Sequence, residues 1–308
     1  MGPGYHGRCS QTKFRDASPS PPNPYTPFGG ERRKCEMGTY IAAIITTVLS
    51  LALIGGFVGW RSPRNEWGLL ALLLVLELPM SPLAYYGVRV PLDHAVWPRM
   101  PDVATHGFVK TFYAPVTEEP AKLWPLLIPF VGRRLSRENA VRVAMALGLG
   151  FGIGEIWFIA EILHREQPDI AALPFWQLGG FINERFMVCA IHGAFTAVAI
   201  RGRWFGVPAA MALHFFGNFP IYLKAINAFG WGEKVWTPIV GMWVVAYFLA
   251  MLVVLCWLLA GNWELGRLLL GHATCPDCCT VYARPLFGIN LGTKRYERCP
   301  ACKKWHLL

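Results

Sequence analysis

Long apolar stretches of this chain enclose Glu118-Glu119-Pro-Ala-Lys122, then Glu155, then Arg185 with His192, then His214 with Asn218. A charge inside a bilayer costs roughly 2.5–3.5 kcal/mol on insertion scales, so each such residue is a functional candidate. Glu118 and Lys122 stand four apart, able to pair on one helix face and lower the cost of burial. The plainer reading of that spacing is an interfacial ion pair near a helix end. Arg185 and His192 are seven apart, two turns along one face, and a lone His among apolar residues is more often a satisfied core residue than a catalyst. His214 and Asn218 are again four apart and can present two hydrogen-bonding groups to one point. Together, two or three carboxylates and two imidazoles suit the activation of water for hydrolysis. A positioned carboxylate serves as base, and a donor pair stabilises the developing oxyanion.

A second constellation lies near the C-terminus, where Cys275-Pro-Asp-Cys278 and Cys299-Pro-Ala-Cys302 enclose a 20-residue spacer. Two Cys-x-x-Cys pairs at that separation fit tetrahedral thiolate coordination of a structural zinc, with a redox dithiol as the alternative. Thiolates must stay reduced to hold metal, which favours a cytoplasmic C-terminus. Cys279 reads as a bystander, and the spacer alternates well enough for short strands.

The elements that must position the first set are membrane spans. The 308 residues are 54% hydrophobic and only 16% charged, with a mean hydropathy of +0.35. Soluble domains carry about 25% charged residues, so a water-exposed globule is excluded, as are disordered, collagenous and disulfide-stapled secreted chains. The fold class expected is an all-α polytopic transmembrane bundle of about 7–8 spans plus a small C-terminal zinc ribbon. Residues 1–38 are Pro-rich and read as a disordered tail, 39–260 as the membrane domain, and 261–308 as the ribbon. Seven hydrophobic segments fall at about 39–60, 67–89, 110–131, 137–163, 174–200, 204–228 and 236–260, each near the roughly 20 residues a bilayer needs. Pro115, Pro120, Pro125 and Pro129 interrupt the third, as in discontinuous functional segments.

Gly148, Gly150, Gly152 and Gly154 form overlapping small-xxx-small pairs in the fourth segment, which let another helix approach closely. Helix packing explains those glycines but not Glu155, which closes the run. Alternate spans run antiparallel, so Glu118 and Glu155 are expected on one level, with His192 and His214 a turn or two deeper. Glu77 is a further charge in an apolar segment, with no role beyond packing or a cavity wall.

The net charge of +10 is scattered between apolar spans rather than gathered in a stripe. That suits loops facing anionic lipid, and no nucleic-acid partner is expected. Arg61, Arg64, Arg133, Arg134, Arg137, Arg201 and Arg203 follow odd-numbered spans, which places those loops and the C-terminus in the cytoplasm. Arg32-Arg33-Lys34 votes against that orientation.

In this order on successive hydrophobic segments, the motifs resemble those of the PrsW-type intramembrane proteases, within the superfamily that includes the CAAX prenyl endopeptidases. The resemblance spans roughly residues 110–220 and rests on Glu118-Glu119-x-x-Lys122, Gly150-Phe151-x-x-x-Glu155, Arg185 with His192, and His214-x-x-x-Asn218. Glu155 stands where the CAAX-processing branch keeps His or Arg, which favours the PrsW branch. The resemblance implies Glu118 as the general base with Glu119 in support, and His192 positioning the water or shuttling a proton. It further implies oxyanion stabilisation by His214 and Asn218, with Lys122 and Arg185 as cationic partners of the carboxylates. The implied activity is endoproteolysis of a membrane-anchored protein close to the bilayer surface, in regulated signalling, by an integral protein of the cell (inner) membrane. Two alternatives stay open at this point: a catalytic zinc held by Glu155, His192 and His214, and a non-proteolytic scaffold or transporter-like binder with a polar cavity.

Overall fold

The computed structural model describes residues 37–261, 271–285, 288–292 and 294–308. The expected disordered tail, with Arg32-Arg33-Lys34, lies outside the described residues except for Met37 and Gly38. The helices in chain order are α1 (Gly38–Trp60), α2 (Arg64–Arg99), α3 (Val103–Thr111), α4 (Tyr113–Ala121), α5 (Ala140–Glu166), α6 (Gly179–Arg201), α7 (Gly206–Ala225) and α8 (Glu233–Gly261), joined by shorter turns.

Among the described residues, four helices are long and apolar enough to cross a membrane: α1, α2, α5 and α8. The seven expected segments thus reduce to four on length and composition. Helices α6 and α7 run 23 and 20 residues, but Glu184, Arg185, His192, His214 and Asn218 dilute their apolar character. The expected third segment is not one helix. It breaks at Phe112 between α3 and α4, then passes through tight turns at Trp124–Leu127 and Pro129–Gly132. The prolines account for the later breaks, since each removes a donor and crowds the preceding turn.

Helix α5 is the axis of the bundle, buried along most of its length. Its glycines serve two faces. A Cβ on Gly148 would lie 2.4 Å from the backbone N of Gly193, and one on Gly152 would lie 2.9 Å from Cys189, both on α6. On the other side, a Cβ on Gly150 or Gly154 would lie 2.3 Å or 2.0 Å from the carbonyl oxygens of Leu74 and Leu78 on α2. Only glycine permits backbones this close.

Contacts fix which helix ends share a level. At one end Arg142 grips Glu66 at 2.9 and 3.1 Å, and Arg201 donates to the carbonyl of Arg137. Toward the other, the Tyr40 hydroxyl donates to Glu161 at 2.6 Å and Lys224 to Thr237 at 3.0 Å. The outer face of α8 is a stripe of Met242, Val245, Leu249, Val253 and Trp257, all exposed, while Met251, Leu255 and Leu258 face inward. Water does not tolerate a contiguous apolar wall of that kind without a partner, whereas lipid does.

The C-terminal region is a small β structure. β1 (His272–Thr274) pairs antiparallel with β2 (Val281–Ala283), and β3 (Ile289–Leu291), β4 (Lys294–Arg298) and β5 (Trp305–Leu307) form a second antiparallel sheet. Burial alternates along β4, with Arg295 and Glu297 inside. Glu297 accepts from the Tyr282 hydroxyl at 3.1 Å and lies 3.3 Å from Arg295, so its buried charge is compensated.

Candidate active site and cysteine cluster

The broken segment is what brings Glu118 and Glu119 into the bundle. Both are buried near the end of α4, where they meet residues from α2, α5, α6 and α7. Three carboxylates each have a cation. Glu118 pairs with Arg89 of α2, Glu119 with Lys122 at 2.6 Å, and Glu155 with Arg185 at 3.1 Å. The expected Glu118–Lys122 pair does not form. Arg89 takes Glu118 instead, and Lys122 turns inward to Glu119 and His192. Arg185 and His192 do share a face as their spacing implies, and both reach Glu155.

Donor and acceptor chemistry fixes one imidazole. The Lys122 ammonium has only donors, so His192 Nδ1, 2.8 Å away, accepts from it. The proton of neutral His192 is then on Nε2, which donates to Glu155 at 2.7 Å. Both ring nitrogens are committed, so His192 is a clamp joining Lys122 to Glu155. The ammonium also lies 4.9 Å from the ring centre of Phe151 and 5.6 Å from that of Phe195, within cation–π range.

His214 is placed differently. Its Nδ1 donates to Glu119 at 2.6 Å, leaving Nε2 free and 3.8 Å from Oε2 of Glu118. That oxygen has no hydrogen-bond partner among the described residues. Both residues, His214 and Glu118, line a cavity of about 170 Å³, which Glu155, Arg185, His192 and Asn218 also line, with Phe195, Trp243 and Tyr247 as aromatic wall. Glu119 and Lys122 stand behind that wall as its support. Five of the six residues implied as catalytic therefore face one space, and the sixth, Glu119, orients His214.

Three features escape the sequence reading. Arg89 lies at the end of an apolar run and reads as a loop charge; the signal that could have found it is that α2 continues ten residues past it. Trp243 and Tyr247 carry no signal, being ordinary aromatics of an apolar span. Glu77 is buried with neither oxygen hydrogen-bonded among the described residues, and the structure gives it no role.

The four ribbon cysteines converge. Cys275 and Cys302 Sγ are 3.6 Å apart and Cys278 and Cys299 Sγ are 3.7 Å apart, with all four within 4.8 Å of one another. A tetrahedron with 2.3 Å metal–sulfur bonds has edges of about 3.8 Å, whereas a disulfide would need about 2.05 Å. The four can hold a metal ion. Each pair sits in the same turn: Cys279 N–H donates to the Cys275 carbonyl and Lys303 N–H to that of Cys299, both at 3.0 Å. Cys279 and Lys303 accordingly take φ of 57° and 66°, so Cys279 is the backbone corner of its turn rather than a bystander. Hydrogen bonding with Thr280 holds the Cys278 thiol down to about 6, while burial pushes Cys275 up. His306, which the spacing does not flag, brings Nε2 within 3.5 Å of Cys275 Sγ.

Among the described residues, the cysteines are the one group of three or more such side chains with converging ligand atoms. Glu155, His192 and His214 are not such a group. Comparison with known protein families, with curated proteins and with solved structures found no match to this chain.

Proposed function

We propose that the protein is an intramembrane endopeptidase of the glutamic type, resembling the PrsW group, that hydrolyses a membrane-anchored protein. The observation carrying this reading is the 3.8 Å separation of Glu118 Oε2 and His214 Nε2, in two residues that line one cavity. That is too long for a direct hydrogen bond, and the proposed hydrolysis calls for a water bonded to both at about 2.8 Å, which this separation is the right length to hold. Glu118 takes a proton from this water as its oxygen attacks the scissile carbonyl, then passes that proton to the departing amine. Asn218, one turn beyond His214, offers its amide to the oxyanion. His192, both nitrogens occupied, positions Glu155 and Lys122 rather than shuttling protons.

In this reading the chain crosses the bilayer seven times, with α6, α7 and the broken Val103–Gly132 segment completing the four apolar helices. The end that gathers Arg61, Arg64, Arg133, Arg134, Arg137 and Arg201 faces the cytoplasm, and a structural zinc fills the cysteine cluster on that side. By helix position Glu155 lies past the middle of α5 counted from that end, whereas His192 and His214 lie nearer to it on α6 and α7. The second reading, a non-proteolytic polar cavity, is favoured by the pairing of Glu118, Glu119 and Glu155 each with a cation, a pattern that also serves structure alone.

The test is a cleavage assay of the purified chain in liposomes against a library of single-span substrates. Glu118→Gln should lose all cleavage while keeping its helical content and unfolding temperature, and Asn218→Ala should slow the rate ~10²–10³-fold. A Glu118→Gln chain that cleaves at the wild-type rate removes Glu118 as base. No cleavage of any substrate by the wild type leaves the cavity reading in its place.

A further inference from the structure

A second cavity, about 130 Å³, shares Arg89 and Ala114 with the first. Its remaining polar lining includes Asp93, His94, Lys110 and Tyr113. The mouth is charged and wet: Asp93 is bonded to His106 at 2.6 Å and to Lys110 at 3.2 Å, and the Lys110 side chain is 54% exposed. The floor is buried. Tyr113 is only 6% exposed, yet its hydroxyl has no hydrogen-bond partner among the described residues. A buried hydroxyl in that condition is costly unless water satisfies it.

Position along α2 explains why this end is aqueous. At 1.5 Å per residue its 36 residues extend about 54 Å, against about 30 Å of hydrocarbon. Counted from Arg64, Arg89 stands about 38 Å along α2 and Asp93 and His94 about 44 and 45 Å, all past the thickness of the hydrocarbon. Between the cavities the Arg89 side chain is held by Thr117 Oγ1 at 3.0 Å and by Glu118.

We propose that the second cavity is the aqueous entrance to the carboxylate–imidazole site, and that Arg89 is the gate side chain between the two. The ligand is water itself, consumed once per bond cut, its proton leaving through Glu118. The use of that water rests on the protease reading above; the route does not.

Hydroxyl-radical footprinting of the full chain in phosphatidylcholine nanodiscs reads the route without any activity. Tyr113 should be oxidised in the wild type despite its burial. Lys110→Trp or His94→Trp, each plugging the mouth, should lower that oxidation at least tenfold and protect His214 as well. Arg89→Ala should instead raise oxidation of His192 and His214 several-fold. Two mouth variants guard against one misfolding, and an unfolding scan of each identifies a failure of that kind. An unreactive Tyr113 in the wild type, or oxidation of His214 indifferent to both plugs, overturns the entrance and sends water past Glu184. Unchanged His192 and His214 in Arg89→Ala removes the gate. Should the footprint behave as expected while no substrate is ever cleaved, the route stands and the protease reading falls.

Discussion

Two ion pairs of identical length divide the molecule. Lys122–Glu119 in the bundle and Lys304–Asp277 in the ribbon both measure 2.6 Å, but the first has no exposed side-chain surface and the second is 67% and 40% exposed. Around Lys122 the partners come from α4 and α6, and the same carboxylate holds His214 of α7. Around Lys304 water supplies whatever the pair does not. In the bundle, therefore, side-chain charges hold the site together, and no member can be lost without stranding another. In the ribbon the organising feature is the cluster of four cysteines, which could hold a metal ion, and surface charges are incidental.

The contrast is broken most severely by removing the metal. One zinc per chain is expected by elemental analysis. Structural zinc contributes apparent binding energies of ~10–16 kcal/mol in small metal-dependent folds, so a strong chelator should unfold β1–β5. The α-helical signal of the bundle should persist, as seen by circular dichroism together with amide exchange of the tail. Zinc that remains after deletion of residues 262–308 would place the metal in the membrane site and overturn the division.

Lys122→Met comes next. It strands Glu119 and leaves His192 Nδ1 without its donor, and breaking a buried pair on one side costs ~3–5 kcal/mol. The midpoint of thermal unfolding in detergent should fall sharply. The matching Lys304→Met change should lower the unfolding midpoint only slightly at neutral pH, because its partner is solvated. Lys304 holds Asp277 below the usual carboxylate range. The small stabilisation from that exposed pair is present above the ordinary carboxylate pKa and fades as the pH falls through the lowered one, a drift that Lys304→Met should abolish. Equal losses from the two substitutions would erase the contrast.

The smallest effect sharpens the picture within the bundle. Gly150→Ala places a methyl 2.3 Å from the Leu74 carbonyl oxygen, an overpacking that costs ~1–3 kcal/mol. Gly241→Ala on α8 meets nothing within 4 Å and should be neutral or stabilise by up to ~1 kcal/mol through reduced freedom of the unfolded chain. Paired unfolding curves check both.

How far the sequence can be read follows the same division. The metal ligands fall within 28 residues on a local spacing rule, so the cluster is legible from the sequence alone, and only the His306 contact and the corner role of Cys279 are not. In the bundle, residue type alone marks Glu118, Glu119, Glu155, His192 and His214, because a charge or imidazole in an apolar run is anomalous. Who pairs with whom is hidden, since it depends on which helices adjoin. Arg89 and Glu118 are 29 residues apart and Glu119 and His214 are 95 apart. Helix spacing makes Glu118–Lys122 the natural pair; a guanidinium arriving from α2 changes the answer. Equally, hydrophobic runs mark α1, α2, α5 and α8 well, whereas Pro120 and Pro125 break the third run in ways that an apolar count does not register.

The alternating glycines of α5 constrain how a substrate could ever reach the cavity. Turning α5 by one residue, about 100°, would carry Leu149, Phe151 or Ile153 into the backbones of α2 or α6, and sliding it would do the same. This helix is a stator. Rearrangement that admits a polypeptide from the side must therefore fall to the elements at the cavity's rim, α4, α7 and α8, whose outer faces are open. The buried carboxylates would then ride partly on moving parts: Glu118 and Glu119 on α4, and Glu155 on the fixed one. Under the proposed protease reading, assembly of the full set would coincide with closure around the chain to be cut.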